Sequence, residues 1–178
     1  NGGLIYAIAR LIFAGPLWYG RAIAMLCVVI GMSGPLFLSE IGTTFIDNLL
    51  SLNLLAALFL LLAGESADIR GRRQVMIYGA AGLLLGIATG LKLTFGVFAI
   101  AVGLSLLPFW FVFRLAPYPI LAFISAGIAG FLFTGGYWLL VLWRDYQNPF
   151  FPFWNGFFRS PLYDIVNFRD SRFVPEGL

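Results

Sequence analysis

The sequence contains no histidine and a single cysteine among its 178 residues. The lack of histidine excludes His-based acid–base, nucleophilic and metal chemistry from this chain. Cys27 lies in an apolar run and has no second cysteine to pair with, so an internal disulfide framework is excluded as well. Walker loops, Cys/His metal-binding sets and nucleophile elbows are also absent from the sequence. These absences argue against an ATP-driven pump in this segment.

Charged residues are scarce too. They make up 11% of the chain, against about 25% in a soluble domain. Hydrophobic residues account for 61% of positions, and the mean hydropathy is +0.93. A soluble fold of this size cannot bury so much apolar surface. The composition therefore predicts an integral membrane protein, and the small excess of basic residues gives no reason to expect a nucleic-acid partner.

Uncharged runs long enough to cross a bilayer lie between the charged residues. A hydrocarbon core about 30 Å thick requires roughly 20 apolar helical residues. The runs that qualify lie between Arg21 and Glu40, Asp47 and Glu65, Arg73 and Lys92, Lys92 and Arg114, and Arg114 and Arg144. We therefore predict an all-α, polytopic transmembrane helix bundle of about five to six spans. Residues 4–19 form either the tail of an earlier span or an interfacial helix.

The apolar run of residues 74–113 is too long for one span. As a single helix it would extend about 60 Å, twice the hydrocarbon thickness. We predict a break at Lys92, next to Gly90, because a lysine at a helix end can reach the interface. Pro117 and Pro119 similarly predict a turn before a last span over about residues 120–143.

Glycine recurs at every fourth position in the third run, at Gly82, Gly86 and Gly90. Small residues at this spacing leave a smooth helix face that another helix backbone can approach closely. We predict close helix packing here and assign the glycines no chemistry.

The distribution of basic residues predicts the orientation of the bundle. Arg70, Arg72 and Arg73 share a short loop, and short basic loops stay in the cytoplasm. The loop between Glu40 and Asp47, Lys92 and the C-terminal segment then lie outside. We expect a multi-pass protein of the plasma (inner) membrane.

The C-terminal segment differs in composition from the rest of the chain. We predict two regions, a transmembrane bundle over residues 1–143 and an interfacial or extracytoplasmic segment over residues 144–178. The second interleaves aromatic residues with proline before turning polar. Aromatic side chains favour the headgroup level, which predicts a short interfacial helix around residues 152–159. The segment serves either as a surface anchor or as a substrate contact.

Two carboxylates bracket the predicted outer loop. Glu40 and Asp47 are candidate catalytic residues because a carboxylate can act as general base. Together they are also candidate ligands for a divalent cation such as Mg²⁺ or Mn²⁺, which prefers oxygen ligands. The alternative is that both are solvated helix ends, with Asp47 stabilising the start of the next helix.

Cations on the same predicted face are candidate phosphate ligands. Lys92 offers a point charge to a lipid phosphate, unless it only extends toward the interface. Arg159, Arg169 and Arg172 in the tail offer guanidinium groups, which bind phosphate in bidentate geometry. We expect Asp164 and Asp170 to be salt-bridge partners of these arginines and not catalytic residues.

Several segments together resemble the GT-C glycosyltransferases, multispanning enzymes that use polyprenyl-phosphate-linked sugars on the extracytoplasmic face. The segments are residues 4–13 (LIYAIARLIF), Arg21-Ala22, Ser33-Gly34-Pro35, Asp47 before a Leu/Ala-rich helix, residues 82–94 (GLLLGIATGLKLT) and residues 148–153 (NPFFPF). They cover most of the chain, although each motif is loose.

The resemblance implies a membrane glycosyltransferase of the cell envelope. Its donor would be a polyprenyl-phosphate-linked sugar, with Asp47 at an acidic position before a span and Lys92 near the carrier phosphate. The main catalytic aspartate would lie in an outer loop upstream of Asn1, so we expect the chain to be a fragment. Two alternatives remain, a transporter or flippase of a lipid-linked or small polar substrate, and a non-catalytic scaffold subunit.

Overall fold

A computed structural model describes residues 1–13, 15–41, 46–113 and 117–167. Throughout these ranges the regular structure is helical, without strands. The helices are α1 (Gly2–Ile12), α2 (Leu17–Met32), α3 (Pro35–Ser39), α4 (Asp47–Ser66), α5 (Arg72–Leu91), α6 (Gly96–Phe113), α7 (Pro117–Tyr146) and α8 (Asn155–Phe158). The predicted all-helical class is confirmed.

Three helices, α4, α5 and α7, have the length and apolar composition needed to cross a membrane. The run between Arg21 and Glu40 was predicted as one span, but it is divided between α2 and α3. The division lies before Pro35, which lacks an N–H and disfavours helical geometry in the preceding residue. The described part of α6 is apolar but shorter than the three long helices. The count of five to six spans stays a prediction.

The break at Lys92 is confirmed. α5 ends at Leu91, and Lys92 adopts an extended conformation with φ −148° and ψ 107°. A 3-10 turn, Leu93–Phe95, then leads into α6. The last long helix begins at Pro117, three residues before its predicted start, so Pro117 and Pro119 lie in its first turn and not in a turn before it.

The chain forms two compact units, Asn1–Thr134 and Gly135–Leu178. Their boundary falls inside α7, and the predicted boundary between residues 143 and 144 stays a prediction. The core of the first unit draws apolar side chains from α4, α5, α6 and α7. Its buried members are Ala57, Leu61, Tyr78, Ala81, Leu85, Val102, Leu106 and Phe123.

The glycine face of α5 packs directly against the backbone of α7, which confirms the predicted close packing at Gly82 and Gly86. A methyl group on Gly82 would overlap the carbonyl of Phe123, and one on Gly86 would overlap the carbonyl of Gly127. In these contacts, the residue with the higher number on α5 meets the residue with the higher number on α7. α5 and α7 are therefore parallel neighbours.

Two buried asparagines organise the described part of the second unit. Asn155 donates from Nδ2 to the carbonyl of Asp164 at 2.7 Å and accepts at Oδ1 from the backbone N–H of Ser160 at 3.0 Å. Asn148 bonds two backbone groups within residues 148–153 in the same manner. Each asparagine thus replaces the regular backbone pairing that these turns lack.

The short helix predicted around residues 152–159 covers fewer residues in the structure. Only α8, four residues long, is helical, and turns precede it. The rings of Tyr146 and Phe151 stack with centroids 4.2 Å apart, whereas Phe157 is 81% exposed. Location of this segment at a membrane interface stays a prediction.

Replacing Asn155 with alanine is expected to open the second unit locally. Both of its amide partners are backbone groups, and Asn155 itself has no solvent exposure. Losing two such bonds should raise cleavage by chymotrypsin in residues 155–167 about tenfold or more. Asn167→Ala is the matched control, because Asn167 accepts a single bond from Gly156 N–H at an exposed site. Equal cleavage of the two variants would contradict the assigned role.

Candidate functional site

The candidate residues of the first unit meet where α4 begins. Asp47 is the first residue of α4, and Lys92 directly follows α5. Because these two residues are in contact, the N-terminus of α4 adjoins the C-terminus of α5 and the helices are antiparallel. We call Glu40, Asp47, Asn48 and Lys92 the polar cluster.

Lys92 forms an ion pair with Asp47. Its Nζ lies 2.5 Å from Oδ1 and 2.7 Å from Oδ2, so the ammonium donates to both carboxylate oxygens. The side chains are 37% and 32% exposed, respectively. Asp47 also lies in the first turn of α4, where the positive end of the helix dipole favours a negative charge. Both predicted residues are therefore present together at one site.

Glu40 contacts the start of α4 through a backbone bond. Its Oε2 accepts from the N–H of Asn48 at 3.1 Å, one of the N–H groups that have no partner within a helix. The Asn48 side chain donates to the carbonyl of Phe37 at 2.9 Å, which links α3 to the same point. The helix-end interpretation of Glu40 thus has direct geometric support. Residues 42–45 of the loop lie outside the described residues.

The ion pair can exchange partners at low cost. Pairs this exposed contribute at most about 1 kcal/mol to stability, because water and ions compete with the contact. An ammonium has three N–H donors, and the two bonds to Asp47 leave one for another acceptor. A phosphate oxygen arriving at Lys92 would find a donor available and a replaceable carboxylate beside it.

The arrangement fits a divalent cation poorly. Both oxygens of Asp47 are held by Lys92, whose positive charge would repel a metal ion. Glu40 is engaged with Asn48. In the part of the chain that the structure describes, no group of three or more potential metal-ligating side chains occurs. We therefore derive no chemistry through Mg²⁺ or Mn²⁺.

Of the three arginines predicted to bind phosphate, the structure describes one. Arg159 belongs to the second unit, where it follows α8 with a positive φ of 56° and an exposed side chain. Arg169, Arg172 and Asp170 lie outside the described residues. Their phosphate-binding role stays a prediction.

A second polar network, at the turn between α4 and α5, was not predicted. Glu65 Oε1 accepts from Tyr78 Oη at 3.0 Å and from Gln74 Nε2 at 3.3 Å, and Oε2 pairs with Arg70 at 3.0 Å. Arg70 also pairs with Asp68. Antiparallel helices bring together residues equally distant from their turn, and Gln74 and Tyr78 share one face of α5 at i, i+4 spacing. The i, i+4 spacing of Gln74 and Tyr78 is the feature of the sequence from which this network could have been predicted.

No protein-family model, curated protein or solved structure matches this chain. The polar cluster and the helices that hold it are therefore the basis for assigning a function.

Proposed function

We propose that this chain is part of a multi-pass membrane glycosyltransferase that uses a polyprenyl-phosphate-linked sugar as donor. The observation that carries the proposal is the partly exposed Asp47–Lys92 pair at one end of an apolar bundle. A cation that can exchange its carboxylate for a phosphate suits a lipid-linked donor, because the lipid chain can lie along the apolar helices. The resemblance to GT-C enzymes supports the same assignment.

In the proposed membrane arrangement, α2 and α6 join α4, α5 and α7 as spans, which gives five, the lower number of the sequence prediction. Arg70, Arg72 and Arg73 lie in the cytoplasm under the positive-inside rule. The polar cluster then faces the opposite side of the plasma membrane, and residues 144–178 are extracytoplasmic. α4 has 20 residues, so its two ends are about 30 Å apart, the thickness of the hydrocarbon core.

In the proposed reaction, Lys92 and Asp47 have different roles. Lys92 binds the carrier phosphate and stabilises the negative charge that grows on it as the bond to the sugar breaks. Asp47, relieved of its ammonium partner, accepts the proton of the acceptor hydroxyl as that oxygen bonds to the sugar. Glu40 holds the start of α4 in position through Asn48.

The transporter alternative receives less support from the described residues. Ion-coupled transporters place polar side chains near the bilayer midplane, often on interrupted helices. Here α4, α5 and α7 carry their charged residues at the helix ends. A break in a helix does occur at Lys92, but it lies at the end where α4 begins.

Replacing Lys92 with glutamine is expected to weaken binding of polyprenyl phosphate about tenfold or more, because a charge-assisted bond to phosphate is lost. Asp47→Asn should not weaken binding, since it removes the competing carboxylate. The measurement is equilibrium binding of polyprenyl phosphate by the purified protein in phosphatidylcholine nanodiscs.

Two controls accompany this measurement. Lys92→Arg keeps the charge and should retain binding. Arg70→Gln alters an ion pair at the other end of α4 and should leave binding unchanged. The proposal fails if Lys92→Gln binds as tightly as the unaltered protein, or if Arg70→Gln is equally impaired.

A further inference from the structure

We infer that Arg72 and Arg73, the first two residues of α5, form a binding site for the headgroup of an anionic phospholipid whose acyl chain lies along the exposed face of the same helix. The site is at the opposite end of α4 from the polar cluster. The inference rests on the proposed membrane placement of the bundle, but not on its proposed glycosyltransferase activity.

Arg72 and Arg73 carry positive charge that the described residues do not compensate. Both side chains are exposed, and neither forms an ion pair or a hydrogen bond within the described part of the chain. Residues 48–144 contain only two carboxylate side chains, Glu65 and Asp68. Guanidinium groups bind phosphate oxygens in bidentate geometry, so two neighbouring arginines with unpaired donors can hold a phosphate group.

The two carboxylates beside them are occupied by a third arginine. Arg70 pairs with Glu65 at 3.0 Å and with Asp68 at 2.7 Å. Glu65 is also held by the buried network at this turn, so it cannot turn toward another cation without leaving buried donors unpaired. The turn between α4 and α5 therefore presents a net positive charge at the two remaining arginines, where a ligand can reach it.

The turn lies at a membrane surface in the proposed arrangement. α4 and α5 each have the length and composition of a membrane span, and residues 67–71 connect them. The polar cluster marks one end of α4, and the 20 residues of this helix place its other end about 30 Å away. Because α5 begins at Arg72, the two guanidinium groups lie at the helix end and can reach the level of the lipid phosphates.

The face of α5 that continues from Arg72 is apolar and exposed. Met76 is 64% exposed and Leu83 is 42% exposed, and Ala80 between them is exposed as well. These residues follow Arg72 at steps of four, four and three positions, which places them on one face of the helix. Arg72 and Leu83 are about 16 Å apart along the axis, about half the thickness of the hydrocarbon core. A phospholipid can contact both the arginines and this face, whereas a free phosphate reaches only the arginines.

The test is native mass spectrometry of the purified protein in detergent, titrated with phosphatidylglycerol. Each basic residue near a membrane surface strengthens the binding of anionic lipid. Arg72→Gln and Arg73→Gln should therefore each bind phosphatidylglycerol about fivefold more weakly, and the double variant about 25-fold more weakly. Replacing both arginines with lysine keeps the two charges and should recover most of the affinity.

Arg144→Gln is the matched control, since it also removes one exposed positive charge, but one that already pairs with Asp145 in α7. Phosphatidylcholine with the same acyl chains should bind more weakly, and a tenfold excess of glycerol phosphate, which lacks acyl chains, should not displace the lipid. The inference is overturned if the double glutamine variant binds phosphatidylglycerol like the unaltered protein, if Arg144→Gln loses as much affinity as Arg72→Gln, if phosphatidylcholine binds as tightly, or if glycerol phosphate competes. The result for polyprenyl phosphate binding by Lys92→Gln would leave this outcome unaffected.

Discussion

Gly86→Ala is expected to destabilise the bundle by about 3 kcal/mol, near the upper end for overpacked cores. The added methyl group would overlap the backbone carbonyl of Gly127. A backbone atom cannot rotate away as a side chain can, so α5 and α7 must separate. Separation would also break the bond from Thr134 Oγ1 to the carbonyl of Ile87. The measurement is thermal unfolding in detergent, followed by circular dichroism.

Gly79→Ala provides the matched control on the same helix. A methyl group there would lie 3.9 Å from the side chain of Ala122, an ordinary contact. Alanine also favours helix over glycine by about 1 kcal/mol, so this variant should be as stable as the unaltered protein or more so. If Gly79→Ala and Gly86→Ala unfold at the same temperature, the close approach of α5 and α7 is not what stabilises the bundle.

Glu65→Ala is expected to cost about 2–3 kcal/mol of stability. The substitution leaves the Tyr78 hydroxyl and the Gln74 amide without their shared acceptor. Both residues are buried, with 2% and 6% of their surfaces exposed, so water cannot readily replace the carboxylate. A buried polar group left unpaired costs about 1–3 kcal/mol. Thermal unfolding of the purified protein measures the difference.

Asp68→Asn separates this effect from simple loss of charge, because asparagine tolerates the positive φ of 50° at this position. Asp68 also pairs with Arg70, but its side chain is 82% exposed, so its removal should cost less than about 1 kcal/mol. Adding Tyr78→Phe to Glu65→Ala should restore part of the lost stability, because the unpaired hydroxyl is then gone. Equal unfolding temperatures for Glu65→Ala and Asp68→Asn would show that the buried network contributes little.

Helix boundaries were predictable from the sequence where charge or proline marks them. Lys92 interrupts an apolar run longer than a bilayer is thick, and Pro117 cannot continue a helix through its own N–H. The division of the run between Arg21 and Glu40 was not predicted, because a count of uncharged residues takes no account of the backbone restrictions that proline imposes. Gly34 and Pro35 are the residues in the sequence that indicate this break.

The site was predictable in its composition but not in its contacts. Asp47 and Lys92 were predicted on the same face, since both lie at ends of apolar runs. Their pairing depends on the register between α4 and α5, which packing of side chains determines and hydropathy does not encode.

The parallel contact between α5 and α7 has a consequence for how the protein is made. Two parallel neighbours must be separated by a complete intervening helix, here α6. A ribosome that has reached residue 113 has finished α4, α5 and α6, yet the glycine face of α5 still lacks its partner. Final assembly must therefore wait for translation of α7, and chains released before that point would present an uncovered helix face to membrane quality control.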